Sequence, residues 1–256
     1  MDFLKNAKSS IEGKFKQILA NEPYKKLFDL KNSKYTSHYC EENVYKLCEQ
    51  YQKIIENYQK EDNRAIENEG YAVFITNAEQ KTLIKHQKLG NKEIDYLVIW
   101  DYHVVFVHKQ TIQHPDKKIV QSFVYDFDSK LEHPVKFDEY FQKCLGFLKP
   151  IEYSESLFRL VPVDKFLNHF ASDRSHMLIK NINLKQKQYM APIPDYPNIV
   201  NKNGDKHNLY EYLDVNNYKI EYGLPFFTES QLFRYFQNKI INAQQSQQQH
   251  QNPMVM

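Results

Sequence analysis

Residues 102–127 read YHVVFVHKQTIQHPDKKIVQSFVYDF, and the reading of this stretch decides the fold. Tyr102–His108 and Ile119–Phe127 are rich in β-branched and aromatic residues, the composition that packs well on a pleated, buried surface. Between them lies a polar segment carrying His114-Pro115-Asp116, a turn signal, because proline presets φ and cannot donate to a ladder. Two such runs about such a turn predict an antiparallel hairpin. In a symmetric hairpin, residues equidistant from the turn centre face each other. The midpoint of His103 and Asp126 is 114.5, inside the turn, so the two are expected directly opposite, with Cβ atoms about 4.5–5.5 Å apart. A carboxylate so placed hydrogen-bonds an imidazole, fixes its tautomer and stabilises the imidazolium. A one-residue slip would send the pair to opposite faces. Asp101 and Asp128 are alternative partners for the ring, Asp128 sharing the face of Asp126 by the period of two.

Outward from the hairpin, Tyr71–Thr76 and Tyr96–Trp100 also read as strands. A helix is expected to start near Cys40: Ser37 and His38 precede it, Glu41 and Glu42 fill its first turn, and Val44, Leu47, Cys48, Tyr51 and Ile55 make an apolar stripe. Residues 135–148, 164–170, Leu209–Leu213 and Thr228–Ile241 read as further helices. Residues 188–198 hold three prolines, which break both helix and ladder. The order of elements predicts an α+β domain, an antiparallel sheet flanked by helices. Residues 1–34, with apolar residues near helical spacing and Lys between them, form an accessory extension, 35–241 the catalytic domain, and 242–256 a glutamine-rich tail expected to be disordered.

A thiol in the first turn of a helix meets the positive end of the helix dipole, which favours the thiolate. Glu41 and Glu42 oppose this, so at least one is expected to face solvent. Cys40, a histidine and a carboxylate form the activated-nucleophile arrangement of acyl transfer. His38, Cys40 and Cys48 offer zinc-type ligands but lack the paired spacing and a fourth ligand of a structural zinc site.

The chain has 256 residues, 34 basic and 32 acidic, and a net charge of +2. Eight Lys against four acids fall within residues 1–34, leaving a slightly acidic body of 26 basic and 28 acidic residues. That balance argues against a nucleic-acid binder, and six glycines leave little material for phosphate loops. Three cysteines without C-x-x-C spacing fit a reducing compartment. No apolar run suits a bilayer span, and the Lys-rich start has no signal-peptide core. The expected setting is the cytoplasm, with or without the nucleus, and no membrane partner.

The segment Tyr39-Cys40-Glu41-Glu42-Asn43-Val44-Tyr45-Lys46-Leu47-Cys48-Glu49 resembles the nucleophile region of the protein N-terminal glutamine amidohydrolase family. So do residues 71–75, Val98–Val105 with the sole Trp, Tyr125-Asp126-Phe127-Asp128, and Asn168–Met177, in the family's order across roughly 35–240. The resemblance implies a papain- and transglutaminase-like core. It also implies a catalytic Cys40, His103 and Asp126, no metal or organic cofactor, and a monomer that converts N-terminal glutamine of other proteins to glutamate upstream of their arginylation and degradation. Such an enzyme needs an acceptor for the free α-ammonium. Glu42 and Asp101 are the candidates, with Tyr35, Thr36 and Ser37 lining the same cleft. In Ser172-Asp173-Arg174-Ser175-His176, Asp173 and Arg174 are expected to form an internal ion pair holding the Pro-rich segment at the pocket rim. Two Lys-rich insertions, near 56–70 and 178–188, depart from the family. A transglutaminase or cysteine protease, or a non-catalytic interaction module, are the alternative readings.

Overall fold

The computed structural model describes residues 27–61, 66–147, 153–179 and 188–242. Most of the extension 1–34, nearly all of the glutamine-rich tail and the centre of the 178–188 insertion lie outside the described residues. The fold is α+β. Strands β1 (Ile66–Thr76), β4 (His103–Gln113), β5 (Lys117–Tyr125), β6 (Val135–Lys136) and β7 (Leu157–Pro162) form a sheet in the order β6-β5-β4-β1-β7, and β8 (Lys239–Asn242) also pairs with β5. All the pairings are antiparallel. A small ribbon joins β2 (Thr82–Ile84) to β3 (Val98–Trp100).

The sheet is covered on both faces, so its central strands read as unbroken apolar runs rather than alternating ones. On one side lies helix α1 (Cys40–Glu61), whose Val44, Leu47, Cys48 and Tyr51 pack on Ala72, Phe74, Val104, Phe106 and Tyr125. Helices α3 (Val163–His169) and α4 (Leu209–Leu213) complete that layer with Phe166, Phe170 and Tyr212. On the other side Val73, Ile75, Val105, Val107 and Val124 meet α2 (Phe137–Tyr140), the π-turn Phe141–Leu145 and α5 (Glu229–Phe236) through Phe137, Tyr140, Leu232 and Phe236. Each fully buried aliphatic or aromatic side chain contributes roughly 1.5–3 kcal/mol. The close seat of α1 needs Gly70: a Cβ there would lie 2.8 Å from both the Tyr51 ring and Val163 Cγ2.

The hairpin forms, with a correction to its register. Its turn is Pro115-Asp116, and Gln113 pairs with Lys118 and Phe106 with Tyr125. Continued past Tyr125, this register puts Val105, not His103, opposite Asp126. The offset is two residues, so face is preserved and His103 and Asp126 remain diagonal neighbours on one side of the sheet. Helix α5 ends at Phe236, before the expected Ile241, because Ile240 and Ile241, β-branched, join the β5 edge opposite Ile119 and Lys118. Residues 188–198 are irregular, as three prolines require.

Candidate active site

Cys40 opens α1 and His103 opens β4, so helix start and strand start meet at one end of the layer. The loop before Cys40 is locked by Asn43, whose side chain accepts from Thr36 N–H and donates to Thr36 C=O, each at 2.8 Å. The Val104 N–H, of the residue after His103, lies near the Cys40 sulfur and favours its ionised form. The histidine ring is buried, stacks on Trp100 (centroids 5.2 Å, planes 17° apart), and places Nε2 2.9 Å from Asp126 Oδ1. Its Nδ1 is buried without a hydrogen-bond partner among the described residues.

Asp126 just follows β5 and is 1% exposed. Besides His103, it accepts from Tyr140 Oη (2.9 Å), Gln87 Nε2 (3.1 Å) and the Asp128 N–H (3.0 Å). Gln87 reaches it because the loop bearing Gln87 is zipped to residues 128–130: Lys88 N–H donates to Asp128 C=O and Lys130 N–H to His86 C=O, both at 2.7 Å. Burial alone would raise this carboxyl, but the His103 charge and hydrogen bond, with those of Gln87 and Tyr140, hold it well below the usual carboxylate range. For the ring, burial disfavours the imidazolium. The Asp126 carboxylate outweighs it, assisted by Asp128 and Glu41, and holds His103 above its ordinary value. Cys40 moves the other way from the helix-dipole expectation: burial pushes its thiol well up, and Glu41 and Asp128 add to this. His103, Asp126 and Asp128 bring one ligand-type atom each within 4.8 Å of one another. The Asp126 oxygens are already engaged by four donors, so the trio is built as a hydrogen-bonded set.

The expectation that Glu41 or Glu42 faces solvent is overturned, for both are fully buried. Burying a carboxylate is costly unless it is paired, and each has partners. Glu42 is clasped by Arg174, with Nε 3.1 Å from Oε1 and Nη2 3.0 Å from Oε2. Glu41 accepts from Tyr102 Oη at 2.9 Å, touches the Cys40 sulfur at 3.6 Å, and lies 3.4 Å from His176 Nε2. The Asp173–Arg174 pair is corrected likewise. Arg174 has φ 63°, a left-handed turn that aims its guanidinium inward to Glu42 and to the carbonyls of Pro194, Tyr196 and Pro197, while Asp173 turns to His207 (3.2 Å). The Pro-rich segment is thus held by Arg174, through a different carboxylate.

A cavity of about 240 Å³ opens beside Cys40, lined by Trp100, Asp101, Tyr102, Asp128 and His176, with Met190 and Tyr210 at its exposed rim. Asp101 lines it but is exposed, and its Oδ1 accepts the Tyr102 N–H at 2.9 Å. Glu42, engaged with Arg174, does not line it. Tyr35 stacks on Phe127 and donates to Asp128 Oδ1 at 2.7 Å, Thr36 is held by Asn43, and Ser37 Oγ bonds His38 Nδ1 at 2.9 Å. Tyr35, Thr36 and Ser37 are not among the lining residues. Cys48 is buried in the core rather than near a metal-type cluster. Glu41, Tyr102, His176, Gln87 and Tyr140 also belong to the site, and none of them is marked as a site residue by the sequence pattern. Tyr102 had a signal, since it neighbours His103 and must point to the opposite face. Gln87 and Tyr140 had none, because only the loop pairing and the α2 seat bring them in.

The family described as N-terminal glutamine amidase matches residues 35–236. The chain is 38% identical over 184 residues to the protein N-terminal glutamine amidohydrolase of Bos taurus, covering 71% of this chain and 77% of that one. It is 39% identical over 166 residues to the protein of that name from Danio rerio (64% and 70% covered), and 34% identical over 184 residues to that from Drosophila melanogaster (70% and 77%).

Proposed function

Because this chain belongs to the N-terminal glutamine amidase family, we propose that it hydrolyses the side-chain amide of an N-terminal glutamine, leaving glutamate and ammonia, through Cys40, His103 and Asp126. One observation carries the assignment of roles. Asp126, saturated by four donors, takes the Nε2 side of His103, and Nδ1 is left buried and unsatisfied on the one ring edge still free for a thiol proton.

The thiol is held neutral by burial and by Glu41, so the nucleophile forms by proton transfer to His103 as attack begins, not as a standing thiolate. The sulfur adds to the amide carbon. The tetrahedral oxyanion meets N–H groups at the α1 start, the Cys40 N–H being the natural donor. The imidazolium, stabilised by Asp126, returns its proton to the departing nitrogen, the C–N bond breaks, and ammonia leaves a thioester. His103 then takes a proton from water, the hydroxyl adds to the thioester carbon, and the C–S bond breaks to give the carboxylic acid and the thiol. Three free cysteines suit a reducing compartment such as the cytosol. The papain-like core belongs to this same reading, supported by a nucleophile at a helix start and a His–Asp pair on a sheet.

The test is ammonia release from peptides beginning Gln, Asn, acetyl-Gln and Ala-Gln, with and without an added primary amine. Release from the Gln peptide alone, with product mass raised by 1 Da in any solvent amine, is the expected result. An amine adduct would indicate transglutamination, and cleavage of the backbone would indicate a protease.

A further inference from the structure

We propose that Asp128 binds the α-ammonium of the substrate and thereby confines the reaction to a glutamine at the very start of a chain. The proposal rests on the deamidation reading and names its specificity group. Four carboxylates surround Cys40. Glu42 is neutralised by Arg174, Glu41 is enclosed behind Tyr102 and His176, and Asp101 is open to water. Asp128 differs from all three. It is only 7% exposed, yet it lines the cavity. Its Oδ1 is fixed by the Tyr35 hydroxyl at 2.7 Å, and no donor among the described residues reaches its second oxygen. Its backbone is clamped from both sides, N–H to Asp126 and C=O to Lys88 N–H.

A rigid, nearly buried carboxylate with half its acceptors unused calls for a cation, and no Lys or Arg among the described residues lines the cavity. Asp128 also stands close to the ring of the His103–Asp126 pair. A carboxylate oxygen of Asp128 lies within 4.8 Å of a ring nitrogen of His103. In glutamine the α-nitrogen and the amide carbon are four bonds apart, roughly 4–5 Å. Asparagine, shorter by one bond of about 1.5 Å, carries its amide less far from an ammonium held at Asp128. The bound ammonium also offsets the negative field that Asp128 and Glu41 place on the thiol, so an acetylated or internal glutamine lacks both the anchor and that relief.

The experiment compares a Gln-initiated peptide with its des-amino analogue, in which a 4-carbamoylbutanoyl group replaces the first residue. The wild-type protein should prefer the amine by between about 30-fold and several thousandfold in kcat/KM, the range for losing one partner of a buried charge pair. In D128N that ratio should fall toward one, mainly through KM of the amine-bearing peptide. Cys40 alkylation by iodoacetamide, mapped by mass spectrometry on protein whose melting is unchanged, should become faster. If D128N fails to fold, Y35F, which frees the carboxylate from its anchor, should lower the same ratio. A ratio kept intact in D128N, or in Y35F where only that variant folds, would overturn the proposal, as would a D128N loss equal for both peptides. Wild-type protein inert on the Gln peptide would instead sink the deamidation reading, and this proposal with it.

Discussion

Replacing Arg174 by Met gives the sharpest test of how the pocket is held. The guanidinium makes three contacts of 3.0–3.3 Å with Glu42, which is fully buried, and further bonds to the Pro194, Tyr196 and Pro197 carbonyls. Removing it strands a carboxylate with no other ion-pair partner among the described residues, a loss of about 3–5 kcal/mol. For a domain of this size that lowers the melting temperature by roughly 6–20 °C. E42M alone should cost similarly, because the guanidinium is then the stranded charge, while E42M/R174M should fall short of the sum by about 2–3 kcal/mol, the coupling of neighbours in one network. Asp173, partly exposed and facing His207, supplies the control: D173N should cost at most about 1 kcal/mol. Circular dichroism melts and guanidinium titrations of the four variants read these values directly. An R174M loss no larger than that of D173N, or strict additivity in the double variant, would refute the reasoning.

C40A should abolish ammonia release from a Gln peptide with its melting temperature held, and D126N should reduce turnover on the order of 10³–10⁴-fold by favouring the wrong imidazole tautomer. Activity near wild type in D126N would pass the orienting role elsewhere. Tyr140→Phe removes a hydrogen bond to a buried charge and should cost about 1.5–3 kcal/mol in guanidinium titration, with turnover reduced in the same direction as D126N; an unchanged midpoint would deny that bond. Burial pushes His108 down to about 3. Its folded value lies below its unfolded one near 6.5, so its contribution is complete above about pH 6.5 and drains away as pH falls toward 3. By pH 5 the loss is about 2 kcal/mol, so the stability gap between H108Q and wild type should close by that amount from about pH 8 to pH 5, and a constant gap would contradict it.

The hairpin and the helix at Cys40 were legible because each is written in local chemistry, a Pro-centred turn between β-formers and a periodic stripe behind an acidic first turn. The register was read two residues off, and the error was harmless because side chains alternate with period two. Glu41 and Glu42 were misread for a physical reason. Acidic residues in a first turn ordinarily face water, and Arg174, far along the chain, and Tyr102, just before β4, make their burial affordable. Gln87 and Tyr140 stand 39 and 14 residues from Asp126, and no spacing rule links them to it. Ile240 and Ile241 were read as helix because their pattern continues that of α5; the free edge of β5 decided otherwise.

A thiol kept protonated and half shielded has a consequence outside the reaction itself. Peroxide attacks the thiolate, and the rate follows thiolate fraction and access. Burial and Glu41 hold Cys40 in the neutral form, so its conversion to sulfenic acid is slow until a substrate arrives. Labelling of Cys40 by a sulfenic-acid probe after peroxide should therefore be slower than for a cysteine held as a resting ion pair.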